Sequence, residues 1–248
     1  MKSNKLMALG IVFSIAVLIV IGTIAYSIIN DKKDKGNEMF AYSTQQSLGK
    51  DDAPVKVVEF GDFKCPACRT WDVTVLPRLK EEYIDKGKVQ LYFINFPFIG
   101  KDSDLGAAAG EAIYKQDKDS FWIFYDEIYQ NQKKDTEEWI TEDLLLSIVK
   151  EKLPKVDVEQ FKKDLHSKDI KEKVSKDSDR AQKLKVQGAP SVYVNGNLAN
   201  PDFDSMKKAI DKELKKVMRS LITFFDFFSI KFLPLLFFTC YTILHKLF

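Results

Sequence analysis

The run Val55-Lys56-Val57-Val58-Glu59-Phe60-Gly61-Asp62-Phe63-Lys64-Cys65-Pro66-Ala67-Cys68 decides how the rest of the chain is read. Val55 to Phe60 is short and β-branched and is bounded by Pro54 and Gly61, the pattern of a mostly buried strand. Beyond the cysteines, Trp71, Val75, Leu76, Leu79 and Tyr83 recur at helical spacing, with Pro77 expected to kink that helix. The two cysteines therefore lie between a strand and a helix, and Cys65 is expected at the helix N-terminus. Unpaired amide N–H groups there favour a thiolate over a thiol, and the thiolate is the reactive form. Their spacing on one helical turn also lets the second sulfur reach the first and close a small, reducible ring.

Two other readings of the pair have less support. Half of a zinc site would need further ligands, but the third cysteine is Cys240, and the only histidines, His166 and His245, are remote in sequence. A structural disulfide closing so short a loop would gain little chain entropy. Redox chemistry is the favoured reading.

With 248 residues, 45% of them hydrophobic, the chain has room for one good-sized domain plus appendages. Its 38 basic and 36 acidic residues are mixed along the length, which argues against nucleic acid as a partner. Met7 to Ile29 runs 23 positions without a charge, longer than the about 20 residues that cross a bilayer. Lys2 and Lys5 precede it, whereas the charges from Asp31 to Lys35 nearly cancel, so residues 1–30 are expected to anchor the chain with its N-terminus cytoplasmic and the remainder exported. A cleaved signal peptide is the rival, with Thr23 and Ala25 as a poor cleavage site. Residues 31–48 read as a polar, irregular linker.

Val89 to Phe96 is expected to form a second buried strand, closed by Pro97. From Asp104 to Leu184 only amphipathic helical stretches occur. Gly106-Ala107-Ala108-Ala109-Gly110 opens a closely packed one, and Phe121, Phe124, Tyr125, Ile128 and Tyr129 stripe the next, as core or in part as the lining of a groove. Ser191 to Val194, Asn195-Gly196 and Asn197 to Ala199 read as a hairpin on a tight turn, followed by a helix from about Phe203 to Met218.

On these residues the sequence resembles the DsbA-like thiol-disulfide oxidoreductases, in the membrane-anchored BdbD type of Gram-positive bacteria. The resemblance covers about Leu48 to Met218. It rests on Ala53-Pro54-Val55, Glu59-Phe60, Asp62, the Cys-Pro-Ala-Cys motif, the alanine-rich helix start and Gly188-Ala189-Pro190. It implies an α/β thioredoxin fold over residues 49–220, with a helical insertion at about 101–185. Residues 221–248 depart from the family. They are rich in phenylalanine yet carry Asp226, Lys231 and Pro234, and they leave open a second membrane segment, a peripheral membrane contact, or translation outside the family reading frame.

The resemblance further implies Cys65 as nucleophile, Cys68 as resolving thiol and Pro190 as a cis-proline facing the pair; an ordinary trans turn proline is the alternative. A proline there offers no N–H to compete with a neighbouring sulfur. Ala189 is expected to offer backbone groups to an extended substrate segment. Glu59 is expected to be a buried carboxyl relaying protons to Cys68, although strand alternation also permits an exposed face. Ala67 stands where enteric relatives carry a histidine, which leaves the oxidising strength open. No cofactor is expected beyond a redox-active Cys65–Cys68 disulfide, and no metal ligand set is legible.

The function expected is a monomeric dithiol oxidase of the extracytoplasmic face. Its substrates would be reduced exported proteins, and a quinone-linked, DsbB-like membrane protein would reoxidise it. A reductase or isomerase of the same fold, and a redox-silent binding or chaperone module, are the alternatives.

Overall fold

A computed structural model describes residues 36–220 and 222–223, in two units that divide after Gln45. The expected anchor at 1–30 and the tail from 224 onward, Cys240 included, lie outside the described residues. Among those described, no helix is long and apolar enough to cross a membrane.

The short first unit is not the irregular linker expected of 31–48. It carries a helical turn at residues 36–40 and a 3-10 turn at Tyr42–Thr44, joined through Ala41 in the left-handed region (φ 49°). The second unit begins at Gln46, earlier than the expected boundary at 49, because Gln46–Leu48 forms a strand, β1.

Four more strands complete one sheet: β2 (Val55–Gly61), β3 (Val89–Asn95), β4 (Ser191–Val194) and β5 (Asn197–Ala199), in the order β1-β3-β2-β4-β5. β2 sits at the centre. It runs parallel to β3, with Val55 opposite Val89 and Gly61 opposite Asn95, and antiparallel to β4, with Glu59 opposite Val192. β2 and β3 are buried almost end to end, and their continuous apolar runs are what a strand covered on both faces requires. β4 and β5 turn on Asn195 and Gly196, whose φ values of 45° and 84° are the two positive angles that a tight hairpin turn demands.

After the cysteine motif, α1 (Pro66–Thr74) breaks at Val75, and α2 (Leu76–Leu79) continues into a single π turn at Lys80–Ile84. Pro77 stands in the first turn of α2, where a missing N–H leaves no helical hydrogen bond unmade. The helical insertion then runs through α3 (Lys101–Gln116), α4 (Lys118–Gln130), α5 (Glu142–Lys152), α6 (Val158–Leu165) and α7 (Lys168–Lys183); after the hairpin, α8 spans residues 203–220. Side chains of Asp117, Thr141, Asp157 and Ser167 cap α4 to α7 by accepting a backbone N–H three residues on, which fixes where each helix starts.

The insertion packs on the sheet through aromatics. Phe121, Phe124, Tyr125, Ile128 and Tyr129 of α4 are all fully buried, so the stripe is core. Phe63, just past β2, stacks on Phe93 of β3 at 5.3 Å, and Tyr125 meets the same Phe93 ring edge-on at 5.3 Å. Gly110 lets α4 approach α3, since a Cβ there would stand 3.1 Å from the Phe121 ring. A polar cluster ties β1, β3, α3 and α7 together: Gln46 Nε2 and Asn95 Nδ2 both donate to Glu111 Oε1, and Asn95 Nδ2 also reaches Asp177 Oδ2 at 3.1 Å.

Candidate active site

The loop from β2 into α1 is held from several sides. Asp62 is its organiser: Oδ1 accepts from Lys64 N at 2.8 Å, the main-chain oxygen accepts from Cys65 N at 2.9 Å, and Oδ2 accepts from Phe98 N and Ile99 N. Gln132 Nε2 donates to the carbonyls of Phe63 and Cys65, at 2.8 and 3.1 Å. Lys64 Nζ is 2.6 Å from Asp102 Oδ1 with both side chains buried, and Asp102 Oδ2 accepts from Trp139 N and Ile140 N. The motif is therefore anchored to the insertion on both sides.

Cys65 is the N-cap of α1 and Pro66 opens the helix, a position where proline is well placed. The backbone N–H of Cys68 donates to Cys65 Sγ at 3.4 Å. Facing the pair, the Ala189–Pro190 peptide is cis, and the Cys65 thiol donates to the Ala189 carbonyl oxygen at 3.2 Å. Cys65, Cys68, Ala189, Pro190 and Glu59 thus come together around the end of β2, although 124 residues separate the motif from Ala189.

The two sulfurs, unbridged here, differ sharply in environment. A hydrogen bond from Cys68, joined by the N–H groups of Cys68 and Ala67, lowers the Cys65 thiol to about 7 in spite of its burial. Burial, followed by the neighbouring Cys65 and the Glu59 charge, pushes the Cys68 thiol well above the ordinary range. Cys65 retains 5% exposure, whereas Cys68 has none.

Glu59 is fully buried, which removes the exposed-face reading. Tyr125 Oη donates to Glu59 Oε2 at 2.8 Å, while Oε1 has no hydrogen-bond partner. Burial pushes this carboxyl up to about 8 against the Tyr125 hydrogen bond, with Asp72 and Cys65 adding to the rise. A rise of that size favours the protonated acid over the carboxylate near neutral pH.

Sequence reasoning gave no site role to Tyr125, Gln132, Asp62 or Asp72. Asp62 stood only among the residues that carry the resemblance and Tyr125 only on the stripe read as core or groove lining, while Asp72 left the signal of standing one helical turn beyond Cys68, on the same face. Beside the pair lies an open groove of about 500 Å³ lined by Ala67, Thr70, Trp71, Pro190 and Phe203, with Arg78 stacked on the Phe203 ring at 3.6 Å.

Comparison with known proteins places this geometry. A thioredoxin family model matches residues 42–212. A Bacillus anthracis protein described as "Probable disulfide bond formation protein D" is 96% identical over 215 residues, covering 87% of this chain and 99% of that one. The disulfide bond formation protein D of Bacillus subtilis is 41% identical over 194 residues, covering 75% and 86% of the two chains. The crystal structure of oxidised BdbD from Bacillus subtilis superimposes with a TM-score of 0.66 at 41% identity, over 70% of this chain and 94% of that one.

Proposed function

The chain belongs to the thioredoxin family, as a DsbA-like disulfide bond formation protein and thiol-disulfide oxidoreductase, and from that premise we propose that it is a dithiol oxidase for exported proteins. The observation that carries the reading is the unequal pair, with Cys65 held toward thiolate and Cys68 held as thiol. Stabilising the Cys65 thiolate lowers the energy of the reduced form and makes the Cys65–Cys68 disulfide more oxidising.

In this reading a client thiolate attacks Cys65 Sγ, the internal bond breaks, and Cys68 leaves and takes up a proton that Glu59 is placed to give. A second client thiolate then attacks the client sulfur of the mixed disulfide and expels Cys65 as a good leaving group. Ala189 supports an extended client through its backbone, and the groove beside Pro190 takes the flanking side chains. The charge-free stretch Met7 to Ile29 supports a membrane anchor with the catalytic domain outside, where clients emerge reduced and a DsbB-like, quinone-linked membrane protein reoxidises the pair. The catalytic chain acts as a monomer and needs no cofactor other than its own disulfide.

One observation favours the reductase alternative. At about 7 the Cys65 thiol stands at a thioredoxin-like value, not at the much lower value of the strongest oxidases. Equilibration with glutathione separates the two. A reduction potential above about −180 mV supports the oxidase, and one near about −270 mV gives the protein to the reductases.

A further inference from the structure

The C-terminal half of α4 aims three polar side chains at the segment that carries the nucleophile. Tyr125 Oη donates to Glu59 Oε2 at 2.8 Å, and Tyr129 Oη donates to the Asp62 carbonyl at 3.3 Å. Gln132 Nε2 donates to the Phe63 and Cys65 carbonyls at 2.8 and 3.1 Å. Spacing of four and then three residues keeps all three on one side of a helix. They meet residues 59, 62, 63 and 65 in chain order, so one stripe of the insertion follows the chain from β2 to Cys65.

The final contact falls on the nucleophile itself. Gln132 is half-buried just past the end of α4, where its own N–H still donates to Tyr129 O. A carboxamide nitrogen has two hydrogens, and the two carbonyls use both. Cys65 is thereby tied at both main-chain groups. Its N–H donates to Asp62 O at 2.9 Å, and its carbonyl accepts from Arg69 N at 3.1 Å as well as from Gln132. Because Gln132 Nε2 holds Phe63 O too, a side chain from outside the motif closes the turn from Phe63 to Cys65.

That turn matters because Cys65 is the N-cap of α1. Its sulfur accepts the Cys68 N–H while the backbone keeps the extended cap geometry, φ −73° and ψ 117°. We propose that Gln132 is a positioning residue for thiol-disulfide exchange, holding the N-cap turn so that Cys65 Sγ stays on the amides of α1. The insertion thereby tunes, through one carboxamide, a sulfur that belongs to the motif. The Cys68 thiol, then the Cys68 and Ala67 N–H groups, bring Cys65 down to about 7 against burial, and all three depend on where the turn leaves Sγ. Loosening the turn lets Cys65 rise toward the value of about 8.5 of a free cysteine. The role rests on Cys65 as the attacking sulfur and is the same whichever direction of exchange dominates.

The test is alkylation of the reduced full chain by iodoacetamide across the neutral and alkaline range, with Cys65 followed by mass spectrometry. Gln132→Met keeps the length and packing and removes both donors. It should raise the Cys65 midpoint by roughly one pH unit and slow alkylation at neutral pH by roughly fivefold. Gln132→Glu, an isostere whose charge opposes a thiolate, should raise the midpoint at least as far. In both variants the glutathione equilibrium should move toward the disulfide, because the reduced form has lost stabilisation. Gln130→Met, the same change at an exposed position, should leave the midpoint where it is. A folded Gln132→Met or Gln132→Glu with the parent midpoint would overturn the role, as would lower stability in urea with no shift of the midpoint. Oxidase direction is read from the parent's potential and this role from the difference between variant and parent, so each can fail alone.

Discussion

Tyr125 Oη donates to Glu59 Oε2 across 2.8 Å, so the helical insertion and the central strand meet on a single carboxyl beneath the cysteine pair. Because this hydrogen bond lowers Glu59 against burial, Tyr125→Phe should move the Glu59 midpoint further above about 8. The pH profile of the Cys68 step should follow it to the alkaline side. The loss in stability should be about 1 kcal/mol, measured by urea unfolding.

Glu59 also makes stability depend on pH, with a sign that can be worked out. The folded chain keeps this proton up to about pH 8, whereas an unfolded glutamate releases it near 4.5, so the folded state binds more protons between those values. Stability therefore falls as pH rises through that window, by up to about 1.4 kcal/mol per unit from this group. Glu59→Gln should match the parent below pH 4.5 and exceed it by a few kcal/mol near pH 8, while exchanging disulfides more slowly around neutrality. Asp72 and Glu111, both raised by burial to about 7, should leave the variant a residual slope of the same sign.

The sulfurs should divide the work. Cys65→Ser should abolish exchange, whereas Cys68→Ser should trap mixed disulfides that it cannot resolve internally. Thiolate absorbance should titrate near about 7 for Cys65, with no native transition for Cys68 in the neutral range. A Cys68→Ala variant slower in first attack than Cys65→Ala would reverse the assignment.

The strands and the helix around the motif were legible because β-branched runs end at Gly61 and Pro97 and the apolar spacing changes period between them. β1 was not. Three residues, Gln46-Ser47-Leu48, are too few to alternate, and they are a strand only because β3 offers them an edge. Tyr125 was legible as core, but the partner of its hydroxyl depends on how α4 crosses β2, which no local pattern encodes. Ala189 and Pro190 became site candidates through family resemblance, since nothing in their own neighbourhood brings them back to Cys65 across 124 residues.

The anchor reading predicts sidedness. Protease added to intact protoplasts should digest the catalytic domain, and a domain that stays protected would refute the outward topology. A mature chain beginning near Tyr26 would refute the anchor.

The Lys64–Asp102 pair should be costly to break from one side. Against the pull of burial, Lys64 and the N–H groups of Ile140 and Trp139 hold Asp102 below the ordinary carboxylate range. Lys64→Met should leave that buried carboxylate without its cation and lower stability by about 3–5 kcal/mol, read from denaturant unfolding.

The hydrogen bond from the Cys65 thiol to the Ala189 carbonyl has a consequence for turnover. Only a thiol can make it: a thiolate or a disulfide sulfur has no hydrogen to give, and in those two states the carbonyl is free to accept an N–H from a client backbone. In the proposed oxidase cycle, the reduced and protonated Cys65 takes that acceptor back from the departing product. On that proposal spent enzyme has a built-in reason to let go, with one hydrogen atom coupling the redox state of the sulfur to the grip of the strand beside it.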